Sequence, residues 1–450
     1  MIRKALFFIF SGALFFIHPS SSFAQKSEPS SGLRLSLQDC LKIALQNNAR
    51  IAVRDYAIEA AQWRHEETNI RFYPMVEVSN RSAPVPKNAQ QAAQSFFEGD
   101  VTYLNASKIA VGLPVYGFGQ LAVAQELTEK GVEAAHAEKE KDEIKIQSEV
   151  KQLYYAILLG GDLSDIAQDA INKINNQLKK EEETHAHSPY EILKLKVFKL
   201  DLEKRFEEAQ NKLAFAKHAL GIQLGLAEGK NIELTEHDLT LQPYDFKTIE
   251  DYLPAAAESR PEANLASLGV EAKRLEYELE KKKLFPKIGV GGFFEIARTA
   301  EHVNNVGPTD AFTNPFNYTR AGVGLEIKGQ FDIHGSSAKI HRLDSEYQKA
   351  AMEKSLAGQG ISLEVEETFH EAQRLKTNVA KAEEKEKMAH QMMFLSKSNL
   401  DIGVGTEQEY TDSLQLYLLS QGEYLKTVFD YNVALAKLEE KVGRRDQNEP

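Results

Sequence analysis

The sequence predicts a mainly α-helical chain with transmembrane β-strands, in which long coiled-coil helices accompany four strands arranged as two hairpins. Three observations predict this class. One segment occurs twice in the 450 residues, long stretches carry the apolar spacing of helices, and four short stretches alternate between apolar and small or polar residues. Copies of this size are typical of structural or channel-forming repeats rather than of one compact catalytic core.

The duplication is visible as three ungapped matches at a single offset of 212 positions. The matched pairs are residues 58–60 with 270–272, 72–78 with 284–290, and 111–115 with 323–327. We therefore divide the mature chain into a first structural repeat at 35–250, a second at 251–443 and a C-terminal tail at 444–450. Both repeats show the same predicted order of a helix, a β-hairpin and long helices.

Residues 1–24 have the features of a cleaved secretory signal peptide. Two basic residues precede an apolar run at 5–17, which is too short to span a bilayer comfortably, and Ser22-Phe23-Ala24 offers small residues for cleavage. An uncleaved N-terminal anchor is the alternative. Residues 25–34 follow with several serines and a proline and are expected to be disordered.

Charge and cysteine content narrow the classes of partner. The net charge of −12 argues against binding to nucleic acid or to an anionic membrane surface. The single cysteine, Cys40, rules out an intrachain disulfide framework and fits a small buried position. After the signal no apolar run is long enough for a transmembrane helix, so we expect any passage through a membrane to use β-strands.

Helices and strands are predicted in the same order in both repeats. In the first, a helix is predicted at 35–71, strands at 75–82 and 106–116, and helices at 120–159, 163–184 and 189–220. In the second, a helix is predicted at 253–284, strands at 287–297 and 318–327, and helices at 336–402 and 406–442. Pro74 and Pro286 end the first helix of each repeat, and polar loops join the strands.

The four predicted strands have the length and alternation of membrane-crossing strands. Each has about 8–11 residues, and one face is apolar while the other is small or polar, as expected between lipid and a lumen. The predicted lipid-facing residues are Ile109, Val111, Leu113, Val290, Val323 and Leu325. A soluble hairpin packed on a core is the alternative. Four strands cannot close a transmembrane barrel, so several chains would have to share one.

Heptad-like stripes run along the predicted helices that follow each hairpin. One stripe joins Tyr410 to Val442 through alternate steps of four and three, and a matching stripe runs from Leu195 to Leu220. The helix at 120–159 alone is about 60 Å long, so we expect lengthwise packing in bundles or tubes. Each stripe is interpreted either as a seam that supports assembly or as packing within its own chain.

On these residues the chain resembles the TolC-type outer-membrane efflux proteins, from about residue 35 to 443. The resemblance rests on the order and duplication of individually weak motifs at 44–48, 112–119, 256–262 and 403–406. It implies a homotrimer with a shared twelve-stranded outer-membrane β-barrel and a twelve-helix periplasmic α-barrel. It also implies a passive export duct that contacts outer-membrane lipid, a periplasmic adaptor protein and an inner-membrane efflux pump or ABC transporter. Residues 184–189 depart from the family pattern, as does Ala49, which stands where the second repeat has Pro261.

The resemblance further implies a closed periplasmic entrance where the helices turn back. We place these turns at Gly160 and Gly161 in the first repeat and near Leu375 in the second, since glycine frees the backbone from the helical ladder. We expect an arginine at the second turn to pair with an aspartate at the first and hold the entrance shut. The charged residues at the two turns are Asp162, Asp165, Arg374 and Lys376.

Motifs for catalysis are missing from the sequence, which has no phosphate-binding loop, no His-Glu-x-x-His and no Gly-x-Ser-x-Gly. We therefore predict no enzymatic activity and no cofactor. His185 and His187 stand two positions apart and would point to different faces of a helix, so we predict no metal site. Two other functions fit parts of the pattern, namely a trimeric coiled-coil surface adhesin and a soluble periplasmic coiled-coil adaptor or scaffold.

Overall fold

The computed structural model describes residues 33–71, 73–88, 90–184, 189–227, 232–301, 303, 316–329 and 332–444. The predicted signal peptide, His185 and His187 lie outside these residues. So do nearly all of the predicted disordered segment at 25–34 and of the tail at 444–450.

The helices and strands form two series in the chain. The first is β1 (Leu33–Leu35), α1 (Leu37–Asn47), α2 (Ala49–Ile70), β2 (Met75–Pro86), α3 (Ala92–Glu98), β3 (Val101–Tyr116), α4 (Gln120–Thr184) and α5 (Pro189–Gln223). The second is β4 (Ile232–Leu234), α6 (Ile249–Ser259), α7 (Pro261–Lys282), β5 (Lys287–Thr299), β6 (Tyr318–Lys328), α8 (Ile333–Asp401) and α9 (Glu407–Val442). The predicted class, mainly α with a small β component and long helices, is confirmed. Helix α3 and the short parallel pair β1 and β4 were not predicted.

Each series opens with the same device for starting a helix. Ser36 and Asp39 exchange side-chain and backbone hydrogen bonds at the start of α1, and Thr248 and Asp251 do so at the start of α6. Such reciprocal bonds satisfy backbone N–H groups that a helix end leaves without partners. The two capping boxes stand at the same offset in the chain as the sequence matches, so the two copies share local backbone structure.

A single extended residue separates the first two helices in each series. Asn48 ends α1 and caps α2, and Arg260 ends α6 and precedes α7. Both residues are almost completely buried, with exposed fractions of 5% and 4%. The continuous helices predicted across these two positions are therefore interrupted.

The ends of α5 and α9 pack closely against these interruptions. Gly225, just after α5, has a φ of 64°, and a β-carbon there would lie 2.3 Å from the carbonyl oxygen of Asn47. Gly443, just after α9, has a φ of 78°, and its β-carbon would lie 2.8 Å from the carbonyl of Ser259. A glycine is needed at both places because the backbones touch and φ is positive.

Two helices run uninterrupted through the whole helical part. Helix α4 has 65 residues and α8 has 69, so each is about 100 Å long. Shorter helices pack along them: α2 and α5 along α4, and α7 and α9 along α8. Within the described residues no helix has an apolar stretch long enough to cross a membrane.

The turns predicted at Gly160, Gly161 and Leu375 are wrong, because these residues lie inside α4 and α8. Glycine lowers helix stability by only about 0.5–1 kcal/mol, which tertiary packing offsets here. A β-carbon on Gly160 would lie 3.1 Å from Cβ of Leu213, so this glycine lets α5 approach α4 closely. The α8–α9 hairpin turns instead at residues 402–406, where Gly403 has a φ of 77°.

The heptad-like stripes are buried within the single chain. On α5 the buried positions are Leu195, Phe198, Leu202, Ala209, Ala216 and Leu220. On α9 they include Leu414, Val428, Tyr431, Leu435, Leu438 and Val442. These helices pack against α4 and α8 of the same chain. The stripes are therefore explained by packing within one chain and do not indicate association between copies.

Gly225→Ala is expected to destabilise the protein more than Gly403→Ala. Both glycines have positive φ, so both changes carry the strain of a left-handed residue, about 1–2 kcal/mol. Only at Gly225 does the new methyl group meet a carbonyl oxygen, whereas no atom lies within 4 Å of the position at Gly403. Thermal unfolding followed by circular dichroism measures the difference. Equal unfolding midpoints would show that the junction tolerates a side chain.

Candidate functional site

The four long strands form one antiparallel sheet in the order β2-β3-β5-β6. The β2–β3 hairpin and the β5–β6 hairpin are joined through β3 and β5, which are far apart in the chain. Strands β2 and β6 are the edges of this sheet. The four strands have 12, 16, 13 and 11 residues, which meets the length of about 9–11 residues that a tilted membrane-crossing strand requires.

One face of the sheet is apolar and exposed. Residues that stand opposite each other on neighbouring strands share a face, and Val111 stands opposite Gly292, which stands opposite Val323. The residues predicted to face lipid are all on this face, with exposed fractions from 38% to 86%: Ile109, Val111, Leu113, Val290, Val323 and Leu325. Their contact with lipid stays a prediction.

The apolar face forms a band across the strands. From Ile327, near the helices, to Ala321 it extends six steps along β6 and covers seven residues, a distance of about 20 Å. In the next row Asn80 donates a hydrogen bond to Ser107 Oγ at 2.8 Å, and polar side chains follow. Val115 continues the alternation of Ile109, Val111 and Leu113 in the sequence, but the register shifts between Pro114 and Tyr116, so Val115 is an extra residue in β3.

The opposite face carries small and charged residues. Gly112, Gly291 and Gly324 form one row across three strands. Two rows away, the Glu295 carboxylate accepts a hydrogen bond from the Tyr318 hydroxyl at 2.7 Å and lies 3.8 Å from the Arg320 guanidinium. Charged groups on a lipid-facing strand surface cost several kcal/mol near the bilayer midplane, so the two faces are suited to different solvents.

The predicted entrance pair does not form within the chain. Arg374 is bound by Glu371 of its own helix at 2.6 Å, Asp162 binds elsewhere, and Asp165 is exposed. The reason is position: Arg374 lies 27 residues before the end of α8 at Asp401, which is about 40 Å from the hairpin turn. These residues lie at mid-height of the helices and not at a tip.

Asp162 and Lys376 instead hold a segment that crosses the helices at mid-height, here named the crossing linker (residues 235–248). The Leu239 N–H donates to the Asp162 carboxylate at 2.9 Å, and Lys376 Nζ donates to the Tyr244 carbonyl at 3.2 Å. Burial raises the pKa of Asp162. The linker is therefore fastened to both α4 and α8.

A third helix, α9, makes the most buried of the hydrogen-bond contacts to the crossing linker. Asn432 on α9 is 1% exposed, donates to the Thr240 carbonyl at 2.9 Å and accepts from the Gln242 N–H at 3.1 Å. Further along the linker, Phe246 packs edge-on against Tyr244 and Phe369. Sequence reasoning missed Asn432, although an asparagine beside a stripe of apolar helix positions is a signal for a buried polar contact.

Two polar clusters surround the interruptions at Asn48 and Arg260. Asn48 Nδ2 donates to the Gln223 carbonyl at 2.9 Å, so it ties the α1–α2 junction to the end of α5. The Arg260 guanidinium lies 3.0 Å from Glu364 on α8, and Glu364 also pairs with Lys441 near the end of α9. The clusters occupy equivalent places in the two copies and join the helices there.

Contacts near the hairpin ends also join the two halves of the chain. Gln177 of α4 donates to Glu407 of α9 at 2.6 Å. Lys194 of α5 forms an ion pair with Asp412 of α9. In the sequence the motif at 403–406 separates two predicted helices, and only the fold shows that the chain turns there and which helices lie beside it. In the part of the chain that the structure describes, no group of three or more His, Cys, Asp or Glu side chains is arranged to hold a metal ion.

Comparison of the sequence with protein-family models and with curated proteins gives no match. Solved structures match closely in fold. The MtrE outer membrane channel of Neisseria gonorrhoeae, in its open state, superposes with a TM-score of 0.74 at 13% identity, over 94% of this chain and 95% of MtrE. The chain has the TolC-type fold. The resemblance inferred from the motifs is thus confirmed at the level of the fold.

Two further channels support this fold. The CmeC outer membrane channel of Campylobacter jejuni has a TM-score of 0.72 at 15% identity, over 100% of this chain and 95% of CmeC. The outer membrane protein VceC of Vibrio cholerae has a TM-score of 0.72 at 14% identity, over 91% of this chain and 97% of VceC. The likeness covers almost the entire length of each chain, so strands and helices together belong to the TolC-type fold.

Asp162→Ala is expected to release the crossing linker, while Asp162→Asn retains it, because the amide oxygen still accepts the Leu239 hydrogen bond. Leaving a buried N–H without a partner costs about 1–3 kcal/mol. This cost raises the fraction of molecules in which the linker is detached from the helices about 5- to 150-fold. Tryptic cleavage after Lys247, identified by mass spectrometry, reports this opening. Equal cleavage rates in both variants would contradict the assigned role.

Proposed function

We propose that the protein is a passive export duct of the outer membrane, formed by three copies of the chain. The observation that carries this proposal is the sheet with one exposed apolar face, one small and charged face, and edges at β2 and β6. A sheet of this kind suits lipid on one side and a water-filled lumen on the other. The TolC-type fold supports the same function, since the matching solved structures are outer membrane channels.

Closure of the sheet explains why three copies are needed. The backbone groups on the outer sides of β2 and β6 require hydrogen-bond partners in hydrocarbon, where no water supplies them. One chain offers four strands, whereas closed outer-membrane barrels begin at eight. Pairing β6 of one copy with β2 of the next gives twelve strands for a trimer. In this arrangement the helices continue the barrel as a tube in the periplasm.

The duct is proposed to act with partners, as the TolC-type resemblance implies. We propose a periplasmic adaptor protein on the helical tube and an inner-membrane efflux pump or ABC transporter beneath it. The TolC-type fold and the length of α4 and α8, about 100 Å, support contact with such partners across the periplasm.

The two alternative functions lack a supporting observation. A surface adhesin of the type considered has contiguous C-terminal strands, whereas here the strands form two separated pairs and α9 follows both. A soluble scaffold would have to cover the apolar band, in which Val323 is 86% exposed. The export duct is therefore the function that the geometry supports best.

The proposal is tested on full-length protein purified in detergent. Native mass spectrometry is expected to give a trimer, and the trimer is expected to conduct ions when added to a planar bilayer. Cell fractionation is expected to recover the protein with the outer membrane. A stable folded monomer, or a trimer that is recovered in the soluble periplasmic fraction, would contradict the proposal.

Val323→Arg is expected to impair insertion into the outer membrane, and Gly324→Ser is expected to leave it unchanged. An arginine on the lipid face near mid-barrel costs about 2–4 kcal/mol in each copy. Gly324 is the adjacent residue on the opposite face, and a β-carbon there would have no neighbour within 4 Å. The amount of trimer in isolated outer membranes measures insertion. Equal amounts for both variants would show that the two faces are assigned incorrectly.

A further inference from the structure

We propose that Phe293 and Lys108 form a contact site inside the duct for molecules that combine an aromatic ring with an anionic group. The inference rests on the proposed function, because these side chains meet permeating molecules only if the small and charged face of the sheet lines a lumen. It goes beyond that function by naming the residues that contact the cargo and the chemistry that they favour.

Phe293 stands on the face of the sheet where small and charged residues predominate. Its direct neighbours across the strands are Ala110 and Gly322. Phe294, the next residue, points to the apolar face, where an aromatic ring is expected. Phe293 is 41% exposed, so part of its ring is accessible from the side of the sheet that carries the small and charged residues.

The neighbouring strand makes room for the ring. A β-carbon on Gly322 would lie 2.8 Å from Cε1 and 3.2 Å from Cζ of Phe293. The ring therefore lies against the backbone of β6 at Gly322, and any larger residue at that position would displace it. Held in this way, the ring offers its remaining surface to whatever occupies the space in front of the sheet.

A cation lies beside the ring. Lys108 Nζ is 5.8 Å from the centroid of the Phe293 ring. Lys108 stands directly opposite Glu295 in the strand register, but the Glu295 carboxylate is engaged by Tyr318 and Arg320, and no ion pair is found for Lys108 among the described residues. An ammonium group without a carboxylate partner next to an exposed ring matches a ligand that has an anionic group next to an aromatic ring.

The site lies at the level of the apolar band. Gly292 and Phe294, which flank Phe293 in β5, stand opposite Val323 and Ala321 on that band. In a closed trimer the same pair of side chains would occur three times at one height of the lumen. A molecule passing through would therefore meet a ring of three such sites in the membrane-level part of the duct.

The test is block of the ion current by naphthalene-1-sulfonate, measured on the purified trimer in planar bilayers. Phe293→Ala is expected to weaken the block about tenfold, the size of effect typical for loss of an aromatic stacking partner. Lys108→Gln is expected to weaken it as well, by removing the charge. Phe294→Ala is the matched control, because it removes the adjacent ring from the other face, and is expected to leave the block unchanged.

Gly322→Ala provides a second route to the same readout, since its methyl group displaces the Phe293 ring without removing it, and it is also expected to weaken the block. Unchanged block in both Phe293→Ala and Gly322→Ala, with normal wild-type conductance, overturns this inference and leaves the proposed function intact. Equal weakening in Phe294→Ala overturns it too. A wild-type protein that forms no conducting trimer overturns the proposed function and this inference together.

Discussion

The backbone hydrogen bonds at the edges of the four-stranded sheet are the constraint on which the rest of the structure depends. Strands β2 and β6 have a partner on one side only within the described chain. In water such edges are a liability that proteins cover or shorten, and in hydrocarbon they are too costly to leave open. Val323 and Leu325 are both exposed, and both lie on the edge strand β6. In the proposed trimer, each edge strand therefore forms its missing backbone hydrogen bonds with an edge strand of a neighbouring copy.

The helical part concentrates its apolar core at one level. Helices about 100 Å long bury only narrow stripes over much of their length, but near the two junctions and the crossing linker their side chains join one buried apolar cluster that includes Ile146, Tyr252 and Leu438. Specific polar contacts add to this core. Asn48 and Arg260 join helix ends at one level, and Asn432 fastens the crossing linker at another. Each is almost completely buried and bonded, which makes it costly to remove and specific in the geometry that it allows.

Glycine illustrates how one residue type serves opposite purposes in this fold. Gly160 sits inside a continuous helix and permits the close approach of α5, whereas Gly225 and Gly443 end helices in a left-handed conformation against another backbone. Gly322 lies in a strand and accommodates an aromatic ring from its neighbour. In every case the missing β-carbon matters because of what lies next to it, and that neighbour is remote in sequence.

The sequence by itself determined the features that depend on local periodicity. Alternation assigned Val111, Val290 and Val323 to one face, because side chains on a strand point to alternate sides, and the spacing of three and four located the buried stripes of α5 and α9. The duplicated motifs led to the TolC-type fold. Such patterns can be recognised in the sequence because the face on which a side chain lies follows from its position along a regular helix or strand.

Only the tertiary structure decided what each residue touches across the chain. Asp162 or Asp165 was expected to bind Arg374 at a tip, but the fold places Asp162 beside Leu239 of the crossing linker, 77 residues away. Gly160 was expected to end a helix, because glycine is flexible. The sequence around Gly160 does not show that α5 packs against this position. Phe293 differs from Phe294 only in the face to which it points, and the glycine beneath its ring belongs to another strand. Register and helix packing join residues that are far apart in sequence, and no local pattern encodes those distances.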